Sequence, residues 1–115
     1  MQRERLSDAP AAAAALPRDA EHPGELLARE LARRGVSASA AAQRMRVPPT
    51  RLSEILRGRR GVSPETALRL GRYFGLPAYF WVGAQARHEL ALAERAFGAR
   101  VAREVEPVPD PEDDA

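Results

Sequence analysis

Cysteine is absent from this 115-residue chain, lysine is absent too, and aromatic residues are scarce, with one tryptophan, two tyrosines and three phenylalanines. Without cysteine there is no disulfide, no thiolate metal site and no cysteine nucleophile. His22 and His88 are the only histidines, and neither has a neighbouring ligand or nucleophile at a useful spacing. No Gly-rich phosphate loop is present, so a nucleophile, a base and oxyanion donors cannot be assembled. The expectation is a protein without catalysis, metal or cofactor. No apolar run approaches the roughly 20 residues of a membrane span. Residues 11–16 are too small and too closely flanked by proline for a signal-peptide core. A cytoplasmic location follows as an expectation. The missing lysine leaves arginine as the only strong cation; arginine suits bidentate contact with phosphate or guanine, but its exclusive use along the whole chain reads as codon usage and carries no function.

What is there is charge, unevenly spread. The formal net charge is only +2, yet residues 22–105 hold 15 arginines against 7 glutamates. Both ends conceal this. Residues 1–21 carry 3 basic and 4 acidic groups, and residues 106–115 carry 5 acidic groups and no basic one. Residues 44–60 concentrate six arginines around a single glutamate, the electrostatic footprint of a nucleic-acid binder.

The same basic stretch contains a short helix with an apolar back. Leu52, Ile55 and Leu56 recur at helical spacing, while Thr50, Arg51, Ser53, Glu54 and Arg57 point elsewhere. Pro49 suits the first helical position, where a missing N–H has no consequence, and Pro48 biases Val47 towards extended backbone. Gly58 can take the left-handed conformation that closes the helix. Arg59 and Arg60 then lie just beyond its end.

Four further helices surround it, and the chain reads as all-α. The first starts near Pro23, turns Leu26, Leu27 and Leu31 inwards, and ends on Arg33 and Arg34 before Gly35, as the helix dipole favours. The second takes Ser37 as N-cap and runs to Met45, packing through Ala41, Ala42 and Met45. The fourth has Ser63 as cap and Pro64 at its first position, with Ala67, Leu68, Leu70 and Phe74 as its core stripe before Gly75. The fifth begins near Pro77 or Ala78 and extends to Phe97, with Phe80, Trp81, Ala84, His88, Leu92 and Arg95 on approximate helical rows. Val101 to Val105 fits either a last short helix or a strand. The domain expected over residues 22–105 is a compact five-helix unit, flanked by a disordered tail at 1–21, rich in alanine, proline and charge, and an acidic tail at 106–115.

Small residues at Ala41 and Ala42, then Met45, Val47, Leu52 and Ile55, supply the close and branched contacts that two helices crossing at a sharp angle require. That is the pattern of a helix-turn-helix. In such a unit the N-terminal end of the second helix enters the major groove. Arg51 can hold guanine N7 and O6, Thr50 can touch a thymine methyl, and Glu54 can accept from a cytosine amine. Arg57, Arg59 and Arg60 leave the helix at its far end and suit phosphates. Ser37 and Ser39 can present the amides of the preceding helix to a phosphate, alongside ordinary capping. The bland alternative is a solvated helix face in which Arg51 and Glu54 offset one another.

Several linked motifs also resemble one family over residues 22 to about 107. They are His22-Pro23-Gly24-Glu25, Leu52-Ser53-Glu54-Ile55 followed by Gly58-Arg59-Arg60-Gly61-Val62, Thr66-Ala67-Leu68-Arg69-Leu70 with Phe74-Gly75, Phe80-Trp81, and Ala102-Arg103-Glu104-Val105. Together they resemble the HigA-type antitoxins, within the xenobiotic-response-element, lambda-repressor-like helix-turn-helix group. The resemblance implies a homodimeric repressor that binds a HigB-like ribonuclease toxin and double-stranded operator DNA at their shared promoter. Two positions depart from the group. Arg46 stands where the turn usually has glycine, at a strain of roughly 1 kcal/mol if φ is positive, and it can add a phosphate contact. Pro49 occupies a base-contacting position without a hydrogen-bonding side chain, which shifts the reading to Thr50, Arg51 and Glu54; Ser53 lies between them as a phosphate contact.

Phe80 and Trp81 read as core, and Tyr79 as the exposed member of the aromatic cluster. Leu90, Leu92, Ala93 and Phe97 exceed what one subunit covers and, with Tyr79, mark a dimer seam. Two other functions share these features: a stand-alone repressor without a toxin, and an interaction module whose basic face binds an acidic protein. Toxin contacts are expected on the first helix or the tail before it.

Overall fold

A computed structural model describes residues 21–114 of the chain. The expected N-terminal tail, Glu21 apart, lies outside the described residues. Among the described residues five helices follow one another: α1 Pro23–Arg34, α2 Ala38–Met45, α3 Pro49–Leu56, α4 Pro64–Phe74 and α5 Ala78–Glu104, with a short 3₁₀ turn at Pro111–Asp114. No strand occurs among the described residues.

Local chemistry sets the boundaries. Ser37 Oγ accepts from the Ala40 N–H at 3.1 Å and Ser63 Oγ from the Thr66 N–H at 3.2 Å, each satisfying an otherwise unpaired amide of a first turn. Proline opens α1, α3 and α4. Gly35 and Gly75 close α1 and α4 in the left-handed region, at φ 65° and 76°. These are the starts and stops expected from the sequence. The fifth helix differs: α5 runs unbroken for 27 residues, so Val101 to Glu104 is helical and continuous with what precedes it, neither a separate helix nor a strand.

The core lies where α1 to α4 meet the first turns of α5. Leu27, Ala41, Ala42, Leu52, Ile55, Ala67, Leu70 and Trp81 are essentially inaccessible, and Ala41 and Ala42 let α3 close on α2 through their lack of bulk. Leu68 does not join the core, as expected of the α4 stripe, but is 64% exposed. At about 100° per residue, the inward arc of α4 is centred on Ala67, Leu70, Gly71 and Phe74, and Leu68 falls outside it. Leu92 is exposed for the same reason on α5, where Ala84 and Ala91 are the buried positions. Across the bundle, the Arg34 guanidinium donates to the Phe74 carbonyl at 2.9 Å and lies 5.2 Å from the centre of its ring, clamping the end of α1 to the end of α4.

Candidate nucleic-acid interface

The turn between α2 and α3 is built from a paired-bond C-cap. The Arg46 N–H bonds the Gln43 carbonyl and the Val47 N–H the Ala42 carbonyl, while Val47 turns into the core. The geometry puts Arg46 at φ 58°, ψ 44°, the only non-glycine with positive φ among the described residues. The turn keeps its left-handed shape, and arginine absorbs a strain of about 1 kcal/mol. Pro48 then precedes α3, and no side chain caps the first turn of the helix.

The outward side of α3 is a shallow groove of about 310 Å³ lined by Pro49, Thr50, Ser53, Glu54 and Arg57. Five of the expected DNA-contacting residues thus come together. Arg51 is not among them; it is half-buried on the flank of the helix, one position round from Thr50. Glu54 does not offset Arg51 either, because its carboxylate accepts from Arg60 at 2.7 Å. With both side chains about half exposed, this pair contributes little stability and instead holds Arg60 beside the groove. Arg44, Arg46, Arg51, Arg57 and Arg59 have no acidic partner among the described residues, so the face keeps its positive charge. Ser39 is exposed on the first turn of α2, and Ser37 combines capping with an exposed position.

Several contacts support this face, and the long-range ones, Gly24 to Ile55, His22 to His88 and Val62 to Gln85, were not announced by spacing. The His22 imidazole caps α1 by accepting the Gly24 N–H through Nδ1 at 2.9 Å. Gly24 sits so close to α3 that a Cβ there would run into the Ile55 carbonyl, which explains glycine at the third position of the His22-Pro23-Gly24-Glu25 opening. The His22 ring meets the His88 ring edge-on at 5.0 Å, joining the start of α1 to α5. At the other end, α3 closes through the Arg59 N–H to the Glu54 carbonyl and the Gly58 N–H to the Ile55 carbonyl, with Gly58 at φ 73°. Gln85 on α5 then accepts the Val62 N–H at 3.1 Å and donates to Glu89 at 2.7 Å, fixing the loop that carries Arg59 and Arg60.

On the free part of α5, Leu90, Ala93, Phe97 and Val101 line an apolar groove with Glu94 and Gly98. Leu90 and Phe97 of the expected seam meet there. Leu92 lies on another side, and Tyr79, 75% exposed, is a first-turn residue at the opposite end. Phe80 and Trp81 meet edge-on at 5.5 Å, with Trp81 in the core and Phe80 packed half-buried against it. No helix of the described residues is long and apolar enough to cross a membrane.

Two short helices meeting through a tight left-handed turn, the second with Arg51 and Arg57 beside its outer face and without an acidic partner among the described residues, define a helix-turn-helix protein, and the family described as a helix-turn-helix domain matches residues 24–78. Virulence-associated protein I of Dichelobacter nodosus is 47% identical over 75 residues, spanning 64% of this chain and 69% of that protein. An addiction module antidote protein of the HigA family from Coxiella burnetii shares the fold with a TM-score of 0.74 at 36% identity, over 77% of this chain and 98% of the other. Pseudomonas aeruginosa antitoxin HigA, solved with the higBA promoter, gives a TM-score of 0.73 at 38% identity, over 78% and 99%. The chain belongs to the HigA family of antitoxins.

Proposed function

We propose that this protein is an antitoxin that represses its own operon, reading operator DNA through α3 and neutralising a HigB-like ribonuclease toxin by direct binding. It acts by binding, not catalysis, in the cytoplasm where its operator lies. The observation that carries this reading is the α3 groove of Pro49, Thr50, Ser53, Glu54 and Arg57, where Arg57 and the flanking Arg51 and Arg59 have no acidic partner among the described residues, on a chain similar in sequence and fold to an antitoxin solved on its promoter. Thr50 and Glu54 face the groove and read base edges, with Pro49 in van der Waals contact. Arg51, on the flank, reaches a base edge only by extending round the helix. Ser37, Ser39, Arg46, Ser53, Arg57, Arg59 and Arg60 hold phosphates on either side.

Titration of duplexes from the upstream region, at several salt concentrations, tests the DNA half. Each of Arg57→Ala and Arg59→Ala lowers affinity and reduces the slope of log K against log salt by about 0.9. Thr50→Val instead alters preference at one base pair. Equal affinity for all duplexes would contradict sequence reading. Co-expression with the neighbouring small reading frame tests the other half: rescue of growth with co-purification supports the antitoxin, and a harmless, non-binding neighbour leaves a stand-alone repressor. The toxin engages α1 or the segment before it, and deletion of residues 1–21 separates these two.

A further inference from the structure

A second groove opens between α2 and α4, of about 290 Å³, and nothing in DNA reading uses its floor. The floor is apolar: Met45, the ring of Tyr73, and Leu68, which is 64% exposed. Its rim is cationic. Arg69 is already held by the Met45 carbonyl and by Glu65, but Arg44, Arg46 and Arg72 have no acidic partner among the described residues. A phosphate backbone would satisfy the arginines and leave Leu68 wet. The groove suits an anionic chain that also offers an apolar side chain.

Such a segment exists in the protein itself. Past α5, residues 105–110 have no regular hydrogen-bonded structure, and Pro107, Pro109 and Pro111 recur at every second position. Proline fixes φ and favours an extended left-handed helix of about three residues per turn. At that period Val105 and Val108 share one edge, while Glu106 and Asp110 occupy the others, and Glu112 follows in the 3₁₀ turn that begins at Pro111. Both valines are exposed, Val108 at 87%. The segment is therefore stiff, acidic and apolar along one edge, which matches a groove that is basic at the rim and apolar on the floor.

It cannot reach the groove of its own chain. The 27 residues of α5 carry its end about 40 Å from its start, whereas Leu68 and Tyr73 lie on the helix just before that start. Val108 stands four residues beyond α5, a reach of about 14 Å when fully extended. We propose that the 105–112 segment of one copy docks in the α2–α4 groove of a second copy, with Val108 on Leu68 and Met45, and with Glu106 and Asp110 against Arg72 and Arg44. Stiffness lowers the ordering cost of the docked segment. The proposal does not rest on DNA or toxin binding.

Paramagnetic broadening between copies tests it, and the absence of native cysteine gives a unique label site. Unlabelled chain carrying Pro111→Cys with a spin label is mixed with isotope-labelled wild-type chain, so that only contacts between copies are read. Strong broadening is expected at the Leu68 methyls and the Tyr73 ring, with little along α1. Broadening should fall by more than half when the spin-labelled chain also carries Val108→Asp, and again when the isotope-labelled chain carries Arg72→Glu. Leu68 and Arg72 are exposed and Val108 lies outside the bundle, so these variants leave the fold intact, which the dispersion of core Leu27 and Ile55 signals checks. No broadening at Leu68, broadening centred on Thr50 and Glu54, or broadening indifferent to Val108→Asp would each overturn the proposal.

Discussion

Arg46 holds a backbone conformation that glycine normally occupies, at φ 58°. Left-handed geometry costs an L-residue about 1 kcal/mol, and glycine returns roughly half of that through its freer unfolded chain. Arg46→Gly is therefore expected to raise stability by about 0.5 kcal/mol in denaturant unfolding, and to weaken operator binding at low salt if the guanidinium holds a phosphate. His22 presents the opposite situation, a side chain whose protonation undoes its structural role. Burial, and then the neighbouring His88, hold its pKa below the ordinary 6.5, against the pull of Glu25 and Glu89. Its Nδ1 accepts the Gly24 N–H only while unprotonated. The unfolded chain takes up this proton as pH drops through about 6.5, while the folded chain resists it. Stability is therefore complete above that pH and declines as pH falls towards the folded pKa. His22→Asn keeps an N-cap acceptor without a titration. Its unfolding midpoint should change less than that of the wild type between about pH 8 and about pH 5; identical curves would remove His22 as the source of the decline.

Among elements, α3 depends on its neighbours more than on itself. Eight residues make a marginal helix in isolation, and α3 is held by Gly24 behind it, by the paired-bond turn before it and by Gln85 after it. Gln85→Ala removes one bond to a partly buried amide, a loss of about 1 kcal/mol. Its distinctive effect is local: amide exchange at Val62, Arg59 and Arg60 should accelerate well beyond that in α4, and uniform acceleration would mean general destabilisation instead. The boundaries of α1 to α4 were legible in the sequence because caps are local chemistry: Ser37, Ser63, Gly35 and Gly75 each act within four residues. So was the groove of α3, since Thr50, Ser53 and Glu54 follow from helical period. Contacts that close over long stretches were not legible. Arg34 to Phe74, His22 to His88 and Val62 to Gln85 depend on how helices cross, which no spacing states. Leu68 was misread because its hydrophobicity was counted without its angle on α4, and Glu54 because Arg60 lies on the loop rather than the helix. The continuity of α5 to Glu104 escaped for a different reason, since most of its second half meets solvent and carries no core stripe to mark its period.

At the scale of the molecule, that exposed second half of α5 is the clearest sign of an unfinished structure. Leu90 at 55%, Phe97 at 53% and Val101 at 50% exposure share one groove, a contiguous exposed apolar row of the kind that marks an interaction surface. A second copy of α5 laid against it would bury the row and set two α3 helices at a fixed separation, which is what a two-fold operator reads. Each half-site alone offers few contacts; two joined ones gain from effective concentration, by a factor of about 100 or more. Phe97→Glu tests the linkage between these two levels. The residue stands clear of the core, so thermal unfolding should remain cooperative. Sedimentation should show a dimer for the wild type and a monomer for the variant, and affinity for a two-half-site operator should fall by about a hundredfold, while affinity for a single half-site stays unchanged. A variant that is still dimeric would move the interface away from this groove. A monomer with undiminished affinity for the full operator would mean instead that the copies are joined on the DNA.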